Sequence, residues 1–408
     1  MDESFDIVIV GAGAAGLAAA LALEPTGRRI AVVGRPDVGG SARTVALFDG
    51  SVRFLRSLGV WERVADKAAA LRVMRIVDAT DSLFRPAPAA FDSHEIGLDA
   101  FGWNLENRTL VVAMAELLRE RGRVRLIEDL ATSFSYDAQS ALVRTQSGQT
   151  LRAQLVVGAD GRGSRARESA GVVAQTWDYP QVAVTAFLAH DRPHDDISTE
   201  FHTREGPCTF VPLPGDAQAP DRSSLVWMMS RAQARRRIAL APEDFARELA
   251  RVCQSFLGRM RLTGERGFVP MQGLQARRLT GLRLALVGEA AHVFPPIGAQ
   301  GLNLGLRDAA HLAEALEAAD DGADAGDARA LARYEALRAG DVATRGFGVD
   351  LLNRALLSRT TASDALRGAG LAALSAFAPL RKLAMREGVL PQRGAPRAML
   401  PQRAPENA

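Results

Sequence analysis

Between Leu284 and Leu316 the chain carries several residue types that could do chemistry where their spacing puts them. Gly288, Gly298 and Gly301 permit close backbone approach, while Pro295 and Pro296 hold the intervening loop extended. From Gly301 the apolar residues Leu302, Leu306, Ala309, Leu312 and Leu316 recur at three- and four-residue steps, so a helix begins there. Its free N–H groups and a partial charge of about +0.5 point back into the loop. Such a place suits a group that is anionic or becomes so. His292 invites a general-base role, although a histidine in an apolar loop can equally be a hydrogen-bonded structural residue.

The elements that must position this loop are a strand before it and a helix after it, and the apolar run Leu284 to Val287 supplies the strand. The amino terminus repeats the scheme. Phe5 to Val10 reads as a buried strand, Gly11, Gly13 and Gly16 follow it, and an alanine- and leucine-rich helix runs to about Leu23. Here Gly11 allows the tight turn, Gly13 lets N–H groups reach a pyrophosphate, and Gly16 lets helix pack on strand. The next strand, Arg29 to Val33, ends in Gly34 and Arg35 where a ribose-binding acid is usual. A further strand, Leu151 to Val157, leads into Gly158-Ala159-Asp160-Gly161 and then Ser164 and Arg167. Taken alone, those letters also describe a plain Asp-Gly turn before a serine-capped helix.

In this order the three segments resemble the flavin-contacting motifs of the aromatic-ring hydroxylases related to para-hydroxybenzoate hydroxylase. The string from Pro295 to Asp308 is similar to the signature of the ubiquinone-biosynthesis hydroxylases. The resemblance implies a Rossmann-like FAD-binding α/β domain with an inserted antiparallel substrate sheet and C-terminal helices. It implies FAD as cofactor, NADH or NADPH as reductant and molecular oxygen as co-substrate. It places Glu289 at the ribityl or ribose hydroxyls and the backbone from Pro296 through Gly298 and Gln300 to Gly301 against the isoalloxazine, with Gly288, Leu302 and Asn303 beside it. Arg43 is placed beside the flavin and its pyrophosphate, Asn107 at FAD, Asp160 and Gly161 at the pyrophosphate region, and Arg167 at the nicotinamide approach. Pro296, Gly298 and His292 are the candidate catalytic positions, since the stiff, nearly uncharged loop suits excluding water and placing a ring. The chain departs from the family in having Glu289 for Asp and Asn107 for Arg or Gln.

With 408 residues and 47% hydrophobic composition the chain exceeds what one core organises, so two domains are expected. A formal charge of +3 and 6% aromatic residues give little support for nucleic-acid binding. Cys208 and Cys253 form no Cys-x-x-Cys pair, no metal-ligand cluster stands out, and a reducing cytoplasm fits. The uncharged run Ile7 to Leu23 follows Asp2, Glu3 and Asp6 rather than positive charge, so it reads as buried protein and not as a signal peptide.

Domain boundaries follow from these motifs. We expect a discontinuous FAD-binding domain over 1–75, 100–175 and 270–340, a substrate domain over 76–99 and 176–269, a helical region over 341–390 and a disordered tail over 391–408. Val182 to Ala189, Thr199 to Thr203, Cys208 to Leu213 and Ser224 to Ser230 read as strands of the inserted sheet. Trp227, Met228 and Met229 could line a ring pocket or belong to the core. Arg231, Arg235, Arg236 and Arg237 precede a helix expected from Pro242 to Leu257 and read as a solvated cluster. Gly368 to Leu380 is free of charge and fringed by Arg367, Arg381, Lys382 and Arg386, so it is either a packed helix or a peripheral contact with the inner face of a membrane.

The leading function is hydroxylation of a polyprenyl phenol or quinol in ubiquinone biosynthesis, among partner proteins of that pathway. The rivals are a prenyl reductase, a small-aromatic hydroxylase and a non-catalytic quinone-lipid-binding subunit.

Overall fold

Ile7, Val8 and Ile9 have no solvent exposure, as a continuous apolar run demands of a strand covered on both faces. In the computed structural model, which describes residues 2–36, 43–80, 87–295, 299–318, 323–341, 377–389 and 394–401, this strand lies inside a parallel sheet. The order is Thr280–Gly281, Leu284–Leu286, Thr150–Gly158, Asp2–Val10, Ile30–Val33 and Val124–Ile127. From Leu284–Leu286 to Val124–Ile127 every pairing is parallel. Parallel pairing brings the carboxyl ends to one edge, so the turns after Val10, Val33, Gly158 and Leu286 emerge side by side. The antiparallel strands Ala131–Tyr136 and Ala141–Thr145 extend the sheet beyond the first half of Thr150–Gly158.

The helix Ala14–Leu23 is almost entirely buried and packs against the helices Asn107–Arg121 and Gln300–Glu317. Its alanines allow those helices to come close, which is why the helix is apolar all round rather than amphipathic. Asn107–Arg121 starts where the sequence places it and ends at Gly122 in the left-handed conformation.

Among the described residues the second sheet has nine strands. Its order is His292–Val293, Gly267–Ala276, Ala174–His190, Arg222–Ser230, Pro207–Leu213, Ile197–His202, Val73–Asp78 and Ala89–Asp92, with Met260–Leu262 added along Ala174–His190. It is antiparallel except where Ile197–His202 runs parallel to Val73–Asp78, a pairing of distant segments that local patterning does not reveal. Residues 175 and 270 lie inside its two longest strands, so the chain passes between the sheets on continuous ladder rather than on linkers. A three-stranded sheet of Thr44–Phe48, Gly102–Glu106 and Ala69–Leu71 bonds to the large sheet through Thr44 and Asn104 and sends Leu47 and Leu105 into the core of the first sheet.

One face of the large sheet is closed by two helices. The arginine cluster is not a run before a helix but a helix itself, Arg231–Ile238, begun by Ser230, whose hydroxyl accepts from Gln233 N–H at 3.4 Å. Arg237 in it is buried, 4.0 Å above the Trp227 ring, and paired with Glu205 and Glu248. The following helix stops at Val252 rather than Leu257, because Gln254 and Ser255 turn left-handed. That turn sends Phe256 and Leu257 into the core from a loop. Cys208 and Cys253 are free thiols in the same core, and burial pushes Cys253 up to about 12.

At the carboxyl end, residues 328–341 are helical and Ala378–Val389 forms a further helix. Residues 342–376, most of the expected tail, and the connector residues 319–322 lie outside the described residues.

Candidate active site

Strand geometry fixes where the glycine turns meet. Gly11 N–H donates to Val33 O at 2.8 Å and Ala159 N–H to Val10 O at 2.7 Å, and Val287 N–H donates to Gly158 O at 2.9 Å. These bonds continue the ladder past the strands and join all three motif turns at one edge. Gly11 has φ +113°, and a Cβ there would lie 2.2 Å from Ala159 O, so no other residue fits. A Cβ on Gly16 would meet Gly11 O at 2.0 Å, and one on Gly305 would meet Gly288 Cα at 3.1 Å. A Cβ on Gly288 would lie 3.0 Å from the Ala15 methyl and one on Gly305 3.3 Å from it, so the first and third segments also pack closely on each other.

Gly13 and Gly301 are different. Among the described residues a Cβ on either would meet nothing within 4 Å. Gly13 caps Ala14–Leu23 and Ala299 caps Gln300–Glu317, each without a side-chain hydrogen bond, and Ala299 sits at φ 52°. First-turn N–H groups that no side chain caps, as after Gly13, are what a pyrophosphate requires. The residues present therefore fit a dinucleotide cofactor.

Asp160 is committed to shaping its own turn. Its carboxylate accepts from the Ser164 hydroxyl at 2.5 Å and from Ala166 N–H at 3.1 Å, and Gly161 at φ 80° completes the bend. Arg167 is 5% exposed, and its guanidinium donates to Ala290 O at 2.9 Å and Arg162 O at 3.1 Å. In this structure Arg167 thus clamps the second segment to the third. Arg162 stands 3.6 Å from Glu289, both largely exposed.

Asn303 is another clamp. Its Oδ1 accepts from Phe48 N–H at 2.9 Å and Ser51 Oγ at 2.7 Å, while its Nδ2 donates to Ala46 O at 2.8 Å and Ala299 O at 2.7 Å. The carboxamide is fully used in holding residues 44–51 on the helix start, which leaves Asn303 only its backbone for a cofactor. Arg43 is exposed at the head of this segment, and its carbonyl accepts from Asn107 N–H at 3.1 Å. Asn107 is the first residue of its helix rather than the cap, a position held by Glu106. Gln300 and Leu302 lie in the first turn of the helix Gln300–Glu317. Pro296 and Gly298 lie outside the described residues.

His292 and Asp308 are both fully buried and joined Nε2 to Oδ2 at 2.7 Å. Asp308 also accepts from Gly288 N–H at 2.8 Å and from Arg338 Nε at 2.6 Å. Burial opposes its charge, but His292 and Arg338 beside it hold its carboxyl below the usual carboxylate range. Arg338 pairs in turn with Asp341, which receives Arg307 Nε at 2.7 Å. His292 stacks on Phe294 with centroids 5.7 Å apart. Bound in this way, His292 shapes the loop, and a freely accessible general base it is not.

The sequence left Trp227, Met228 and Met229 undivided, and strand alternation divides them. Trp227 and Met229 enter the core under the two helices, whereas Met228 points to the other face. That face also carries Tyr179, Ala183 and Met271, with Trp177, Val226 and Val269 against them. Ser224 shares it two residues from Val226, and its hydroxyl accepts from Thr44 Oγ1 at 3.1 Å. The apolar wall therefore looks toward the segment that begins at Arg43. Tyr179 and Met271 were absent from the sequence reading, though period-two alternation along Ala174–His190 could have found the first.

Comparison with known proteins agrees with this geometry. The family described as FAD binding domain matches residues 4–345. Ubiquinone hydroxylase UbiL of Rhodospirillum rubrum is 36% identical over 95% of this chain and 90% of its own. The 3-demethoxyubiquinol 3-hydroxylase of Escherichia coli is 29% identical over 94% of this chain and 98% of its own. In fold, p-nitrophenol 4-monooxygenase PnpA from Pseudomonas putida superposes with a TM-score of 0.79 at 21% identity, over 98% of this chain and all of that one. This chain belongs to the FAD-binding domain family, as an FAD-dependent aromatic hydroxylase related to the ubiquinone hydroxylases.

Proposed function

We propose that this protein hydroxylates the ring of a polyprenyl phenol or benzoquinol on the way to ubiquinone, taking electrons from NADH or NADPH and the oxygen atom from O2. The observation that carries the reading is the apolar wall of Tyr179, Met228 and Met271 on the sheet face that meets the segment after Arg43, which Asn303 ties to the start of the helix Gln300–Glu317. The names of the relatives in two bacteria point to the same substrate class.

Bound FAD supplies electron transfer and oxygen activation. The chain's own work is to hold and enclose. The first-turn N–H groups after Gly13 would receive the pyrophosphate, and those of Gly301 and Leu302 would favour the negative charge the flavin gains on reduction. Arg43, Asn107, Glu289 and the backbone of Pro296 to Gly301 complete the cofactor site in this reading. The buried Asp308 fixes Gly288 and His292, so the loop leading to Pro295 keeps one shape and excludes water from the reacting ring. The parts at 1–75, 100–175 and 270–340 then serve the cofactor, and those at 76–99 and 176–269 the substrate.

A membrane-borne substrate gives meaning to the helix Ala378–Val389. Arg381 ties it to Glu95 at 2.7 Å and Met385 is buried beside Ile96 and Phe101, while Phe377, Leu380 and Leu383 remain exposed at 59%, 42% and 57%. Exposed Lys382 and Arg386 flank them, a combination suited to an anionic membrane surface. Among the described residues no helix is long and apolar enough to cross a membrane. Peripheral contact from the cytoplasmic side is the reading, and co-sedimentation with anionic vesicles tests it.

The deciding experiment is whether the purified protein is yellow and consumes NADH and O2 faster when an alkylphenol is added. Reduction without oxygen use would indicate a reductase instead, and a colourless, inert protein a binding subunit. Deleting the gene and identifying the quinone precursor that accumulates names the step.

A further inference from the structure

Gln181 is 6% exposed, and among the described residues its Oε1 is buried without a hydrogen-bond partner. A buried acceptor without a partner is destabilising, so a side chain kept only for packing would be better apolar. The neighbourhood shows that the amide is accommodated rather than squeezed in. Gly206, at φ +147°, has no Cβ, and one there would fall 3.2 Å from Gln181 Nε2.

Register fixes the face. Gln181 lies opposite Ser230 and two residues before Ala183, which lies opposite Met228 on one side and Val269 on the other. By alternation Gln181 therefore shares the face of Ala183, Met228 and Val269, away from the helix-covered core. An apolar wall with one unsatisfied acceptor is the usual make-up of a small-molecule site, where the apolar part gives affinity and the polar atom sets orientation.

We propose that Gln181 Oε1 accepts a hydrogen bond from the hydroxyl of a phenol or hydroquinol whose apolar remainder lies on Met228, Met271 and Tyr179. This rests on the function proposed above and adds which atom reads the hydroxyl. Gln181 is a specificity-determining residue in this account: it rewards a ring that carries an O–H donor and leaves itself unpaired against a ring that lacks one.

The test uses the FAD-loaded protein without oxygen or NADH, and follows tryptophan fluorescence as an alkylphenol or its methyl ether is added. Wild type should bind the phenol roughly five- to tenfold more tightly, the value of one net hydrogen bond. Gln181→Met should bind both equally, with ether affinity unchanged, and Gln181→Glu should restore a preference for the phenol. A preference that survives in Gln181→Met, or is absent in wild type, overturns the proposal. If the phenol stimulates oxygen uptake while Gln181→Met keeps its preference, the hydroxylase reading stands and this inference falls. If Gln181→Met loses the preference while no phenol ever stimulates oxygen uptake, the hydroxylase reading falls and the site stands.

Discussion

Arg338 Nε donates to Asp308 Oδ1 at 2.6 Å, and neither side chain reaches solvent. Through the other oxygen of Asp308 this pair governs the loop ahead of the flavin helix, since Gly288 N–H and His292 Nε2 both end there. Tyr334, one turn before Arg338, adds a bond from its hydroxyl to Leu286 O at 2.7 Å. The helix at 328–341 thus braces the loop from Leu286 to His292. Arg338→Met leaves a buried carboxylate without its cation and should lower stability by about 3–5 kcal/mol in urea unfolding. Adding Asp308→Asn should cost less than the sum of the two single changes; strict additivity would mean the pair is not coupled.

Acid stability should depend on His311. Burial, then the charges of Arg338 and Arg307, lower it to about 4, against about 6.5 in an unfolded chain. Between those values the unfolded chain binds more protons, so stability rises with pH through that window and is lost as pH falls from about 6.5 to about 4. The lowered Asp308 acts further down: its contribution is present above about 3.9 and disappears as pH falls through its folded value. Thermal melts of His311→Gln should show a flatter dependence between pH 7 and 4 than wild type. An unchanged slope would assign the acid sensitivity elsewhere.

The motif glycines should separate into two classes. Gly11→Ala meets Ala159 O and a positive φ, and should yield unfolded or insoluble protein. Gly13→Ala meets none of the described residues within 4 Å, so the protein should fold with unchanged circular dichroism yet bind FAD at least about tenfold more weakly, because a methyl group then occupies the approach to the helix N-terminus. Equal FAD affinity in Gly13→Ala and wild type would place the pyrophosphate elsewhere.

Asn303→Ala removes four hydrogen bonds, three of which pin residues 44–51. At least about 2 kcal/mol of stability should be lost, since Phe48 N–H and Ala46 O lose their partner. Asn303→Asp should recover part of the loss through the retained acceptor oxygen. Denaturant unfolding of the three proteins checks the order.

Much of this was legible in the residues. Continuous apolar runs before Gly11, Gly158 and Gly288 identify parallel strands, and the three turns meet because parallel pairing sends every carboxyl end to one edge. Side-chain commitments were not legible. Whether Asp160 faces a ligand or Ser164, and whether Asn303 faces a ring or Phe48, depends on which distant backbone comes within about 3 Å, and spacing along the chain carries no such information. The helix at Arg231–Ile238 was hidden by its charge. Its arginines mask a single buried face at Ala234 and Arg237, of which the latter is buried only because Trp227, Glu205 and Glu248 receive it.

The central claim, that cofactor edge and apolar wall together place an oxygen atom on a ring, is tested most directly with isotopic oxygen. The yellow protein is given NADH, an alkylphenol and heavy-isotope O2, and the ring product is weighed by mass spectrometry. The account predicts one labelled oxygen on the ring, with NADH oxidation that depends on the phenol. NADH oxidation at the same rate with and without phenol, with all label in peroxide or water and none on the ring, would contradict it.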